Sequence, residues 1–125
     1  MLLYYRWRVN YWSTKTGFQI GVNVFDWGLH IWHTGNIIIN GFTKIGKNCY
    51  LYPQVLIGQT KFAACPIIGD DVSIFSGSKI VGNRKIGNNV VIAPNAVVTH
   101  DVPDNAIVGG VPAKIIKYRK VGQAR

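Results

Sequence analysis

The sequence predicts an all-β chain wound into a stack of short parallel strands, and three observations carry that prediction. A branched aliphatic returns every sixth residue through Ile68, Ile74, Ile80, Ile86, Ile92 and Val98. Glycine often follows it, at Gly46, Gly58, Gly69 and Gly87. The fifth place of each hexad is mostly small or branched: Thr43, Cys49, Val55, Val72, Ser78, Val90, Ala96 and Val102. A period of six fits neither a helix nor the alternation of a hairpin sheet. It fits one short strand and one turn per hexad, the aliphatic pointing inward and Gly or Asn easing the turn. Coiling the chain then stacks aliphatic on aliphatic and gives each coil backbone partners above and below.

Residues 1–16, which begin MLLYYRWRVNYW, place Tyr4, Trp7 and Tyr11 at helical spacing and predict a helix capping the first coil. The same mixture of aromatics and arginines suits an interfacial membrane anchor, so association with a membrane surface is a second expectation. The repeat domain is expected over 17–104. Ile39, Ile45, Leu51 and Ile57 extend the pattern backwards, and Phe25 to Val98 holds about twelve hexads, or about four coils. Such a prism would stand only ~20 Å tall. Three interruptions stand out. Ile57 to Ile68 is eleven residues, so QTKFAACP contains an excursion; Ile31 to Ile39 is eight, so two extra residues follow IWHTGN; one residue is missing between Ile20 and Phe25. Arg84 stands where a small inward residue belongs, and the cost of an unpaired buried charge predicts that it leaves through a corner. Residues 105–125 read as a strand followed by a basic tail, with breaks at PDN and GGVP.

A chain of 125 residues is one domain. Its hydrophobic content of 48% and mean hydropathy of +0.14 are high, yet no apolar run is long enough to span a bilayer, which predicts a soluble or oligomeric protein. The N-terminal segment has an early charge and no small-residue cleavage site, so the cytoplasm is the expected compartment. Cys49 and Cys65 form no CxxC pair and read as free thiols. A net charge of +9 and a pI near 9.8 call for an anionic partner. The cations are scattered and no nucleic-acid motif accompanies them, so nucleic acid is not expected. A phosphate-bearing cofactor or an anionic membrane face fits the charge equally well.

These hexads resemble the repeat of the hexapeptide-repeat acyltransferases. GLHIWHTGNIIIN is similar to the segment around the catalytic histidine of serine acetyltransferases and of related O-acetyltransferases of bacterial surface-polysaccharide pathways, and GGVPAKII is similar to their terminal signature. The resemblance covers about residues 17–118. It implies a left-handed parallel β-helix, three hexads to each triangular coil, assembled as a homotrimer with acetyl-CoA and the catalytic histidine in the groove between neighbours. His33 falls on that histidine. An alcohol is a poor nucleophile at neutral pH, so a histidine placed to take its proton as it attacks the thioester supplies the general base. By the same resemblance Gly58, Ser76, Pro94, Thr99, Lys114 and Lys117 fall where relatives contact acetyl-CoA, Gly58 near the reacting thioester, where a backbone amide can stabilise an oxyanion. Terminal lysines suit phosphates as point charges.

Trp32, His30 and Cys65 are candidate acceptor-binding residues, and each sits at or near a departure from the serine enzymes. Those have Asp before the catalytic histidine, where this chain has Trp32, and His before Pro in the loop, where it has Cys65. Their upstream Asp falls, by counting, at about Gly21. An amino acid's ammonium wants carboxylates, whereas Trp32 suits the apolar face of a sugar ring. The expected activity is therefore acetyl-CoA-dependent O-acetylation of a sugar hydroxyl in surface-polysaccharide biosynthesis. Serine O-acetyltransferase is the alternative within the class, and a non-catalytic structural or interaction module is the alternative outside it. The three histidines, His30, His33 and His100, lack the spacing of the zinc-binding carbonic anhydrases that share this fold, so no metal is expected.

Overall fold

Each hexad becomes a short strand and a turn, and three hexads close one turn of a left-handed triangular solenoid. The computed structural model describes residues 1–21, 23–60 and 64–120. A helix, α1 (Leu2–Thr16), precedes the strands β1 (Phe18–Ile20), β2 (His30–Ile31), β3 (Ile37–Ile39), β4 (Lys44–Ile45), β5 (Tyr50–Leu51), β6 (Val55–Gly58) and β7 (Ile67–Ile68). There follow β8 (Ser73–Ile74), β9 (Lys79–Val81), β10 (Lys85–Ile86), β11 (Val91–Ile92), β12 (Val97–Val98), β13 (Ala106–Gly109) and β14 (Lys114–Tyr118).

Face one stacks β1-β3-β6-β9-β12, face two β4-β7-β10 with bridges Phe25–Ile45 and Ile86–Val102, and face three β2-β5-β8-β11-β13-β14. Every pairing is parallel except β13–β14, which is antiparallel. Face one thus holds five parallel strands, so the solenoid has five turns and not the four expected from counting hexads. The extra turn comes from the two ends of the repeat. The strand at Phe18 precedes the missing residue, and the strand at Ala106 follows the PDN turn, so neither keeps hexad phase.

Three aliphatic columns fill the interior: Ile20–Ile39–Ile57–Ile80–Val98, Phe25–Ile45–Ile68–Ile86–Val102 and Ile31–Leu51–Ile74–Ile92–Val108. All but the three uppermost members are buried. Burying one such side chain contributes roughly 1.5–3 kcal/mol, and the columns are the main source of stability. The fifth-place residues Thr43, Cys49, Val55, Val72, Ser78, Val90 and Ala96 are buried beside the columns. Val102, counted as a fifth place, instead takes the column position next to Ile86, because the end of the repeat slips phase. Arg84 reaches a corner half-buried, its Nε shielded and without a hydrogen-bond partner among the described residues.

The acidic residues are used for turns. There are five, all aspartate. Asp26 accepts from the Trp27 N–H, Asp70 from the Lys47 N–H, Asp101 from the Lys85 N–H, Asp104 from the Asn88 N–H, and Asp71 from the Asn48 side-chain amide. A corner amide that would otherwise lack a partner is satisfied in this way.

Gly17 closes α1, donating its N–H to Ser13 O. The helix rests on β1, but no residue of it is buried. Its least exposed side is Val9, Ser13 and Thr16, whereas Tyr4, Trp7 and Tyr11 face away from the coil. The aromatic stripe expected to cap the prism therefore points outward, because small side chains let the helix lie closer to the β1 backbone.

Candidate functional site

His33 sits on the edge where face three turns into face one. Other turns of that edge take as few as three residues, at 52–54, whereas the first spans 32–36. The two extra residues widen the corner and leave His33 exposed. Gly35 makes the bend possible: its φ is 152°, and a Cβ there would stand 3.0 Å from Pro53 Cβ. The His33 imidazole forms no hydrogen bond with another described residue, so none of these fixes its tautomer. No carboxylate can stand at Gly21 either, because a Cβ there would lie 2.6 Å from the Gly41 Cα.

Below His33 the edge is stitched into a continuous ledge. Gln54 N donates to Asn36 O at 2.6 Å, Gly77 N to Pro53 O at 3.2 Å, Asn95 N to Ser76 O at 2.9 Å and Val97 N to Gly110 O at 3.0 Å. Ser76 lies on this ledge half-buried and Pro94 lies on it exposed. At its lower end β14 brings Lys114 opposite Gly109 and Lys117 opposite Ile107, both exposed. From the first coil, which carries His33, to the lysines on β14, one strand beyond the fifth coil, is about 24 Å, five strand spacings. A base stands at one end and two cations at the other.

Gly58, Cys65 and Thr99 lie elsewhere, on the edge where face one turns into face two. A strand of face one separates the two edges, roughly 10–13 Å of extended chain. One chain therefore does not bring the Gly58 amide or the Cys65 thiol to His33. The Cys65 Sγ is 3.4 Å from Asn40 Oδ1 and 3.7 Å from Gln59 Oε1, and the Asn40 amide donates to Gln59 Oε1 at 3.2 Å. Thr99 Oγ1 is 3.0 Å from His100 Nδ1. Asn40 and Gln59 were not singled out in the sequence. Both directly follow or nearly follow a strand of face one, a signal visible only once the excursion is placed.

The outer surface of face three carries an aromatic ladder beside the His33 corner. His30 stacks on Tyr50 with centroids 4.6 Å apart and planes at 11°, and Trp32 lies 6.5 Å from Tyr50 at 18°. Tyr52 stacks on Phe75 at 4.6 Å and 16°. The ladder follows from register: His30 pairs with Tyr50 across a parallel ladder, so their rings meet at about one strand spacing. His100 is remote from His30 and His33, on the other edge and the fifth coil. Among the described residues no three His, Cys or Asp side chains gather as metal ligands.

Residues 65–100 match the family described as bacterial transferase hexapeptide (six repeats). The serine acetyltransferase of Staphylococcus epidermidis is 39% identical over 112 residues, covering 86% of this chain and 50% of that protein. The chain belongs to the hexapeptide-repeat family and is serine acetyltransferase-like. The Neisseria gonorrhoeae serine acetyltransferase superposes with a TM-score of 0.80 at 31% identity, over 87% of this chain and 44% of that one. A Brucella abortus serine acetyltransferase solved in complex with coenzyme A superposes with a TM-score of 0.78 at 27% identity, over 95% and 52%. This hexapeptide-repeat chain spans about half the length of the curated relatives it matches. The six-repeat match covers the lower coils alone, so the widened corner carrying His33 lies outside it.

Proposed function

We propose that the chain is an acetyl-CoA-dependent O-acetyltransferase with His33 as general base. The observation that carries this is the ledge that joins His33, Ser76 and Pro94 along one edge and ends at β14, with Lys114 beside the edge and Lys117 further along that strand. An extended pantetheine arm would follow the ledge, its phosphates near the lysines and its thioester near His33. His33 would take the proton of the acceptor hydroxyl as that oxygen attacks the thioester carbon. Collapse of the tetrahedral intermediate breaks the C–S bond, and the leaving thiolate takes the proton from the imidazolium. The chemistry itself needs no metal and no acyl-enzyme.

The exposed, unrestrained imidazole and the split between two edges favour a homotrimer in which the Cys65 edge of one copy faces the His33 edge of the next. Gly58 and Thr99 would then serve the neighbour's acetyl-CoA, and Cys65, held by Asn40 and Gln59, would face the acceptor. The relatives are serine acetyltransferases, which makes serine the better-supported acceptor, whereas the polysaccharide expectation has no support among them. A sugar hydroxyl stays as a second reading because Trp32 and the His30–Tyr50 stack offer ring surfaces beside the base.

The test is release of CoA thiol from acetyl-CoA by wild type and His33→Ala, with serine and with a panel of sugars and sugar nucleotides. Acceptor-dependent release that falls about 10²- to 10⁴-fold in His33→Ala is the expected result. Equal release by both proteins with every acceptor would overturn the assignment of the base.

A further inference from the structure

We propose that α1 seats the protein at the headgroup level of an anionic lipid bilayer. The argument is independent of the catalytic reading and rests on a helix that the fold leaves almost bare. No residue of α1 is buried, and Trp7 and Trp12 remain 62% and 54% exposed. A folded chain rarely leaves so much aromatic surface contiguous and open without a partner.

The outward side of the helix has a definite chemistry. Trp7 stacks on Tyr11 with centroids 5.7 Å apart, the Arg8 guanidinium stands 5.9 Å over the Tyr4 ring, and the Lys15 ammonium stands 5.7 Å over Tyr11. Cations alternate with Tyr and Trp along one ridge. Rings with an apolar body and a polar tip settle between headgroups, and flanking cations meet anionic phosphates. In the first turn of α1, Leu2 and Leu3, 72% and 79% exposed, can reach below the headgroups. The helix does not cross: fifteen residues at helical rise give about 22 Å against about 30 Å of hydrocarbon.

Charge decides between a bilayer and a second copy of the chain. α1 carries Arg6, Arg8 and Lys15 with no acidic residue, and the first acid of the chain is Asp26. The five aspartates all sit at turns of the coil rather than on α1, and the protein's net charge is +9. Packing this ridge on another copy would set cation against cation. An anionic surface supplies the missing sign.

The experiment is sedimentation of the full chain with vesicles of phosphatidylcholine alone and of phosphatidylcholine with phosphatidylserine at about 70:30. Binding is expected to the anionic vesicles, weakening with salt, and at least about tenfold less to the neutral ones. Arg8→Gln/Lys15→Gln should weaken it about 25-fold, about fivefold per cation. Trp7→Ala should weaken it severalfold, while Lys85→Gln on face two should change it less than twofold. None of these residues is buried, so a thermal melt close to wild type is expected and separates the effect from misfolding. Three outcomes overturn the proposal: no vesicle binding, equal binding by the double variant, or equal weakening by Lys85→Gln. So does lipid-free self-association abolished by Trp7→Ala, which would assign the ridge to a second copy.

Discussion

Three consecutive isoleucines, Ile37, Ile38 and Ile39, allow a sharp test of the solenoid register. Ile37 and Ile39 point inward at 0% and 3% exposure, whereas Ile38 points out at 40%. Ile37 pairs with Phe18 and Val55, and Ile39 with Ile20 and Ile57. Truncation of Ile37 to Ala removes three carbons, about 2.4 kcal/mol at about 0.8 per methylene. Flanking coils cannot collapse into the gap without breaking their own ladders, so a cavity term brings the loss to about 3–4 kcal/mol. Ile38→Ala should cost less than about 1 kcal/mol in dilute solution. The assay is urea unfolding of Ile37→Ala and Ile38→Ala at two protein concentrations. Equal losses at low concentration would refute the register, because a slip of one residue exchanges the two faces. A loss for Ile38→Ala that grows with concentration would instead show face one covered by another copy.

Two further outcomes follow from the ledge. Lys114→Ala with Lys117→Ala should raise the KM for acetyl-CoA about three- to tenfold at unchanged kcat, an effect that shrinks as salt rises; an unchanged KM would make both lysines solvated charges. Gly35→Ala should strain the widened corner by about 1–3 kcal/mol and lower kcat more than global stability, read by thiol release beside a melting curve. Wild-type turnover there would mean that the bend does not set the position of His33.

The interior was the most legible part of the sequence, because a hexad states directly which side chain meets the axis. Ile74, Ile80 and Ile92 could be placed inward by counting alone. The edges were less so. Phase distinguishes inside from outside, but the two extra residues after Ile31 and the excursion after Gly58 shift which corner a polar residue reaches. His33 and Cys65 could be named as chemistry-bearing, yet their separation by a strand of face one needed coordinates. Tyr4, Trp7 and Tyr11 showed the helix and its stripe but not its direction. The choice between burying aromatics and burying Ser13 and Thr16 is made by how closely α1 can approach β1. Counting also missed a fifth turn, because the end strands keep the fold without keeping the period.

The reversed strand β14 has a consequence for assembly. A parallel solenoid is an open template, since its last coil presents unpaired amides and carbonyls in the pattern that the next coil would need. Here β13 is followed by an antiparallel partner, with a register shift between Ile107 and Val108. A second solenoid arriving end-on must match three faces together, and on face three it meets a strand running the wrong way and bearing Lys114 and Lys117. β14 thus acts as a chain terminator: the polymer that the repeat invites, coil upon coil without limit, stops at five turns.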